Sequence, residues 1–137
     1  MKLQRKITGA ISLITMIASA TTVIGQEIKV WTTETQPARL ERQANMAAEY
    51  EASTGVKVEM IPVEEKDMGT RATAAFAAGD LPDVIYYGLQ YALPWTEAGI
   101  LDPEAAQEVV DALGSDTFAP GPIQMAATPN GVAGVPV

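Results

Sequence analysis

Polar and apolar residues alternate in two short segments of the chain, and a helical spacing of apolar residues separates them. Residues 27–32 (EIKVWT) and 56–61 (VKVEMI) carry β-branched and aromatic residues in alternation, which is typical of half-buried strands. Between them, apolar residues recur at intervals of three and four, which predicts an amphipathic helix. Pro37 suits the first turn of this helix, and Gly55 suits its end.

A second helix is predicted over residues 68–78, after a polar connection at residues 64–67. Four residues of this helix are expected to pack closely on a sheet: Ala72, Ala75, Phe76 and Ala78.

A third strand is predicted where this helix stops. Gly79 ends the helix, and Pro82 prevents it from resuming. Residues 84–86 are an apolar run that is too short for a helix and rich in strand formers, so they predict a short buried strand. Whatever follows Tyr86 then lies at the carboxyl end of a strand, where open α/β sheets bind ligands.

The rest of the chain continues the same alternation. It predicts helices over residues 91–97 and 103–113 and a last strand over residues 132–137. Strands and helices joined by short connections form parallel sheets with right-handed crossovers, so the predicted fold class is α/β with helices on both faces of a parallel sheet. A natural domain rarely finishes inside an apolar strand, so we expect the chain to be incomplete at Val137.

Residues 1–25 have the layout of a secretory signal peptide. An uncharged run over residues 7–17 follows a basic start, and small residues allow cleavage after Ala20 or after Gly25. The basic start consists of Lys2, Arg5 and Lys6. A retained membrane anchor is the alternative, but eleven residues fall short of the ~20 that a spanning helix needs.

Composition excludes several kinds of function. Beyond residue 25 the chain holds six basic and seventeen acidic residues, so nucleic acid and anionic membranes are poor partners. The absence of cysteine excludes disulfides and a lipid-anchored cysteine. The absence of histidine excludes the usual zinc sites and histidine-based catalysis, and we expect no cofactor and no metal.

Five blocks of the sequence, in this order behind a signal peptide, resemble the N-terminal part of the extracellular solute-binding proteins of ABC importers. The branch that they resemble contains the maltose-binding and other sugar-binding proteins. The blocks are residues 28–31 (IKVW), 50–58 (YEASTGVKV), 78–84 (AGDLPDV), 99–101 (GIL) and 130–136 (NGVAGVP).

The resemblance implies a two-lobed protein that closes around a solute and presents the closed form to a membrane permease, without catalysis. Residues 26–137 would be a partial N-terminal lobe, with an unfilled edge beside the last strand, which the returning chain covers in the family. The implied partners are a small-molecule solute, which the resemblance indicates to be a carbohydrate, and the permease subunits. A free periplasmic monomer is expected.

Two loops are the candidate binding elements, because the resemblance places the first and third strands side by side and their carboxyl ends face the cleft. The candidate ligand-binding residues are Thr33, Glu34, Gln36, Tyr87, Gln90 and Tyr91. Tyr87 matches the position of an aromatic residue that touches sugar in the maltose-binding branch, and Gln90 and Tyr91 match polar contact positions. Sugar recognition needs flat apolar faces and fixed polar groups, and these residue types supply both.

Other aromatic residues are assigned to packing. Strand alternation sends Tyr86 to the face opposite Tyr87, so Tyr86 is predicted to lie in the core. Trp31 and Trp95 are also expected to be packing residues.

Alternative functions stay open at this stage. The same fold could bind another solute, such as a polyamine or a ferric ion, although opposite faces make joint ligation by Tyr86 and Tyr87 difficult. A secreted hydrolase with paired carboxylates is less well supported, because no nucleophile elbow, histidine partner or metal cluster accompanies them.

Overall fold

The computed structural model describes residues 26–136, which form two strand assemblies and five α-helices. In chain order the elements are β1 (Glu27–Thr32), α1 (Pro37–Thr54), β2 (Lys57–Pro62), α2 (Glu65–Ala78), β3 (Val84–Ile85), α3 (Ala92–Glu97), α4 (Pro103–Leu113), α5 (Pro120–Ala126), β4 (Ala127–Thr128) and β5 (Gly131–Val132). Short 3-10 turns at Leu89–Tyr91 and Ser115–Thr117 precede α3 and α5.

A parallel three-stranded sheet in the order β2-β1-β3 organises the first half of the chain. In the register of the sheet, Val30 of β1 lies between Met60 of β2 and Val84 of β3. Alternation along β1 turns Val30 toward α1 and Trp31 toward α2, where Trp31 packs with Met68. The predicted α/β class, with helices on both faces of a parallel sheet, is therefore confirmed.

Asp83 secures the start of β3 against β1. Its carboxylate Oδ2 accepts a hydrogen bond from the backbone N–H of Lys29 at 2.8 Å, and the N–H of Tyr86 donates to the carbonyl of Trp31 at 2.9 Å. These two bonds bracket the two paired residues of β3. The helix stop at Gly79, which has a left-handed φ of 68°, lets the chain turn back to the sheet edge.

Two hydrophobic clusters form the interior of the described residues. The larger cluster, beneath α2, consists of Trp31, Val63, Met68, Ala72 and Trp95. The smaller one joins α4, α5 and the β4–β5 hairpin through Val110, Ala126 and Val132. Trp31 and Trp95 are each 5% exposed, which confirms their predicted packing role.

The start of α2 differs from its predicted position. The helix begins at Glu65, three residues earlier than expected, so residues 65–67 are its first turn and not a polar connection. Glu65 and Asp67 suit that turn because acidic side chains interact favourably with the positive end of the helix dipole.

The packing predicted for α2 holds on one side only. Ala72 is fully buried and Ala75 packs against the larger cluster, as expected. Phe76 and Ala78 are exposed, because only the stripe of the helix that carries Met68 and Ala72 meets the sheet.

The prediction that Tyr86 lies in the core is wrong. Tyr86 is 48% exposed, and Val84 on the same face is 49% exposed. α1 packs over β2, so it leaves this face of β3 uncovered. The other edge of β3 has no strand partner among residues 26–136.

The last strand is shorter than predicted and belongs to a separate two-stranded sheet. Of residues 131–136, only Gly131 and Val132 form a strand, and they pair antiparallel with β4, outside the parallel sheet. The reason lies in residues 127–130, which supply a partner strand and a turn directly before β5. Within residues 26–136, none of the helices combines the length and apolar character needed to cross a bilayer.

Candidate functional site

The β1–α1 and β3–α3 loops leave the same edge of the sheet from adjacent strands. Trp31 of β1 is paired with Ile85 of β3, and each loop begins within two residues of that pair. The predicted adjacency of the first and third strands is confirmed. Polar and aromatic side chains of both loops therefore lie around one end of the sheet, which is the usual position of ligand sites in this class of fold.

The β1–α1 loop is held by the hydroxyl of Thr32, which is 1% exposed. Thr32 Oγ1 accepts hydrogen bonds from the backbone N–H of Glu34 and from Gln43 Nε2, both at 3.1 Å. One buried hydroxyl thus links the loop to the second turn of α1. Neither Thr32 nor Gln43 was selected from the sequence.

The predicted residues of this loop have different environments. Glu34 is partly buried, and its carboxylate contacts the Arg39 guanidinium at 2.5 Å. Thr33 is partly buried. Gln36 is exposed and precedes α1, and its side chain makes no capping hydrogen bond, so its amide remains available.

A cavity of about 460 Å³ opens beside this loop and the first turns of α1. Its lining consists of Glu34, Arg39, Arg42, Gln43 and Met46. The Oε1 atom of Gln43 is buried and has no hydrogen-bond partner among the described residues. This volume falls within the roughly 300–1,000 Å³ of small-molecule pockets, and polar groups with an apolar wall are typical of them.

In the β3–α3 loop, the side chain of Tyr87 is held in place by a hydrogen bond and by ring packing. Its hydroxyl donates a hydrogen bond to the backbone carbonyl of Ala133 at 2.8 Å, and its ring packs against Trp95 with centroids 5.4 Å apart. A Cβ at position 134 would lie 2.7 Å from the hydroxyl oxygen, so Gly134 lets the backbone approach the ring. Burial raises the pKa of Tyr87.

Tyr91 and Gln90 occupy different positions in the same loop. The Tyr91 ring stacks on Trp95, with centroids 4.4 Å apart and planes inclined by 18°, and it packs closely against Gly69. Gln90 is exposed, and its amide folds back over Gly88, where a Cβ would collide with it.

The predicted site residues therefore fall into two groups at the sheet edge. The polar group of the β1–α1 loop lies with α1, whereas Tyr87 and Tyr91 belong to an aromatic cluster around Trp95. The sequence contained a signal for the missed residues of α1. Arg39 and Gln43 are four residues apart, as are Arg42 and Met46, so the two members of each pair lie on the same face of α1.

The ionisation of Tyr87 leads to a prediction about alkaline stability. A raised pKa means that the folded state favours the neutral phenol, so its contribution to stability is present below about pH 10 and is lost as pH rises through the raised pKa. Tyr87→Phe should cost about 0.5–1.5 kcal/mol at neutral pH, because it removes the hydrogen bond to Ala133.

Urea unfolding of wild type and Tyr87→Phe at neutral pH and above pH 10 measures this difference. The gap between the two proteins should shrink at high pH, since the phenolate cannot donate to a carbonyl. Tyr50→Phe, at an exposed ring, is the matched control and should keep wild-type stability at neutral pH. A gap of the same size at both pH values would contradict the prediction.

Residues 26–136 contain no group of three or more acidic side chains placed to hold a metal ion, and the chain has neither histidine nor cysteine. The chemistry that the site offers is hydrogen bonding, ion pairing and contact with aromatic faces.

Comparison with known proteins gives a consistent set of relatives. Residues 36–137 match the family described as bacterial extracellular solute-binding protein. The chain is 32% identical over 103 residues to YcjN of Escherichia coli (strain K12), which is named as an ABC transporter periplasmic-binding protein. That match covers 71% of this chain and 24% of YcjN.

Solved structures share the fold. The sugar-binding protein MalE from the phytopathogen Xanthomonas citri has a TM-score of 0.70 and 21% identity, over 81% of this chain and 28% of that chain. The Thermus thermophilus maltotriose binding protein, bound with maltotriose, has a TM-score of 0.63 and 20% identity, over 77% of this chain and 28% of that chain. The chain thus spans about a quarter of the length of these relatives.

Proposed function

The chain belongs to the bacterial extracellular solute-binding protein family, and from this premise we propose that it serves solute capture for an ABC-type importer, with a carbohydrate as the solute. The family and the fold class predicted from the sequence are both confirmed: the relatives of similar fold are two-lobed binding proteins, of which this chain matches about a quarter. Solute capture would take place by closure of two lobes, with this chain contributing one wall of the cleft.

The observation that carries the proposal is the pair of loops at the carboxyl ends of β1 and β3. They combine the carboxylate of Glu34 and the amides of Gln36 and Gln90 with the ring of Tyr87. Hydroxyl groups of a sugar pair with carboxylates and amides, and its C–H faces cover aromatic rings. Proteins of similar fold include a cyclo/maltodextrin-binding protein complexed with maltotetraose, a maltotriose binding protein bound with maltotriose and the sugar-binding protein MalE, which supports the same solute class.

Other solutes fit this arrangement less well. Arg39 and Arg42 line the cavity beside Glu34 and would repel a cationic polyamine. For a ferric ion, Tyr86 and Tyr87 follow β3 in different environments: Tyr86 is 48% exposed, and the Tyr87 hydroxyl is already bonded to Ala133. For a hydrolase, the site offers a single carboxylate, that of Glu34, paired with Arg39.

Membership of the family also supports a proposal for the export, the cellular location and the partners of the protein. Residues 1–25, which lie outside the described residues, would direct export as a signal peptide, and residues 26–137 would belong to the N-terminal lobe. The protein would work in the periplasm as a monomer and deliver solute to permease subunits in the membrane.

Titration of the isotope-labelled 137-residue chain with maltose, followed by NMR, tests the proposal. Maltose should shift amide resonances in residues 33–36 and 87–91, with millimolar or weaker affinity, because one wall of a cleft covers only one side of a solute. Calorimetry should accordingly show no saturable heat with simple sugars.

Spermidine is the matched control for the polyamine alternative and should leave both loops unperturbed. Tight saturable binding of maltose by this chain would contradict capture by two lobes. Absence of shifts in both loops at high maltose concentration would contradict the site itself.

A further inference from the structure

The cavity beside α1 concentrates positive charge in an otherwise acidic chain. Residues 26–137 contain six basic and seventeen acidic residues, yet two of the six basic residues, Arg39 and Arg42, line this cavity. Glu34 is its one acidic lining residue, and that carboxylate is paired with Arg39. Glu41, the neighbour of Arg42 in sequence, is not part of the lining.

The positive charge of Arg42 is therefore not balanced by an acidic residue of the cavity lining. Arg42 forms no ion pair with any described residue, and the first turn of α1 contains no acidic side chain that could neutralise it. An anionic group in the cavity would meet Arg42 without displacing the bond between Glu34 and Arg39. The guanidinium of arginine matches a carboxylate in a bidentate geometry.

Gln43, which lines the same cavity, has a polar atom without a hydrogen-bond partner among the described residues. Gln43 Nε2 donates to Thr32 Oγ1, and Oε1 is buried without a partner among the described residues. Rotating the amide by half a turn would exchange the two atoms, and one of them would still lack a partner. A hydroxyl group can donate or accept, so a hydroxyl of a bound solute satisfies Gln43 in either orientation.

From this lining we propose that the solute is an acidic carbohydrate, a sugar that carries one carboxylate. The inference rests on the proposed function and refines its solute class. Arg42 pairs with the carboxylate, Gln43 with a hydroxyl, and Met46 covers a C–H face. A single uncompensated charge matches a carboxylate better than a phosphate monoester, whose charge at neutral pH is about −1.5 to −2.

A pair of sugars that differ only at C6 tests the proposal. Galactose carries a hydroxymethyl group there, and galacturonate carries a carboxylate. NMR titration of the labelled 137-residue chain gives a dissociation constant for each from the shifts of residues near Glu34 and Gln43. Galacturonate should bind about tenfold more tightly, the factor that corresponds to about 1.4 kcal/mol.

Two variants separate Arg42 from the general charge of the chain. Arg42→Gln removes the positive charge and keeps a good helix former, so it should abolish the preference for galacturonate over galactose. Lys66→Gln removes one positive charge from α2, outside the cavity, and should keep the preference. Acetate supplies a carboxylate without a sugar and should bind far more weakly than galacturonate.

Several outcomes would overturn the inference. Equal affinity for galactose and galacturonate would do so while leaving the proposed function in place, since the neutral sugar would still bind. Persistence of the preference in Arg42→Gln, or acetate binding as tightly as galacturonate, would also overturn it. If maltose, galactose and galacturonate all leave the two loops unperturbed, the proposed function fails as well.

Discussion

Replacement of Trp95 by alanine should lower the free energy of unfolding by about 3–5 kcal/mol, the largest loss that we expect from a single change in this chain. Trp95 is 5% exposed and belongs to the larger hydrophobic cluster. Both tyrosines of the β3–α3 loop pack on its ring, Tyr91 in a stack and Tyr87 at a tilt. Its removal therefore leaves a cavity and also frees the two aromatic residues of the candidate site.

Urea unfolding followed by far-ultraviolet circular dichroism measures this loss, because the variant retains only Trp31 for fluorescence. Trp95→Phe keeps an aromatic ring and should recover part of the stability. Leu93→Ala, on the same short helix but 55% exposed, is the matched control and should change stability by less than about 0.5 kcal/mol. Similar losses in Trp95→Ala and Leu93→Ala would show that Trp95 does not hold the loop.

Sequence patterns predicted the elements whose signals are local. β1 occupies the predicted residues 27–32, and α4 occupies the predicted residues 103–113. The left-handed glycines at 55 and 79 end α1 and α2 as expected. In these cases alternation, proline placement and glycine stops act on neighbouring residues, so no knowledge of distant contacts is needed.

Predictions that depend on distant contacts were less accurate. Tyr86 has the apolar neighbours and β-propensity of a core residue, but its burial depends on whether a helix covers that face of β3, and α1 lies over β2 instead. The segment after residue 130 has a strand pattern, but its partner strand, β4, is only two residues long and carries no distinct signal. Strand partnership is a tertiary property that local pattern does not fix.

The candidate site also combines features that the local sequence predicts with features that depend on distant contacts. The sequence indicated which loops follow β1 and β3, and the structure places both at one edge of the sheet. The contribution of α1 was missed because Gln43 and Arg42 are polar residues on a helix, which usually indicates a solvated face. The hydrogen bond between Gln43 and the buried Thr32 shows that this part of α1 faces the sheet edge.

Replacement of Thr32 by valine should destabilise the chain by about 2–3 kcal/mol although the two side chains have nearly the same shape. The hydroxyl accepts from the Glu34 N–H and from the Gln43 amide, so valine leaves two donors without their partner. The side chain is 1% exposed, and water cannot readily replace the lost acceptor. Valine itself suits a strand, so propensity does not account for the expected loss.

Thr32→Ser separates the hydroxyl from the methyl group, because serine keeps the acceptor and loses only about 0.8 kcal/mol of methyl burial. Urea unfolding should therefore rank the proteins as wild type, Thr32→Ser and then Thr32→Val. Amide hydrogen exchange at Glu34 should accelerate in Thr32→Val and remain slow in Thr32→Ser, since the N–H donates directly to this hydroxyl. If Thr32→Val is as stable as Thr32→Ser, the hydroxyl is not what joins the β1–α1 loop to Gln43 of α1. The contact between Glu34 and Arg39 would then be the side-chain contact that holds the loop against the helix.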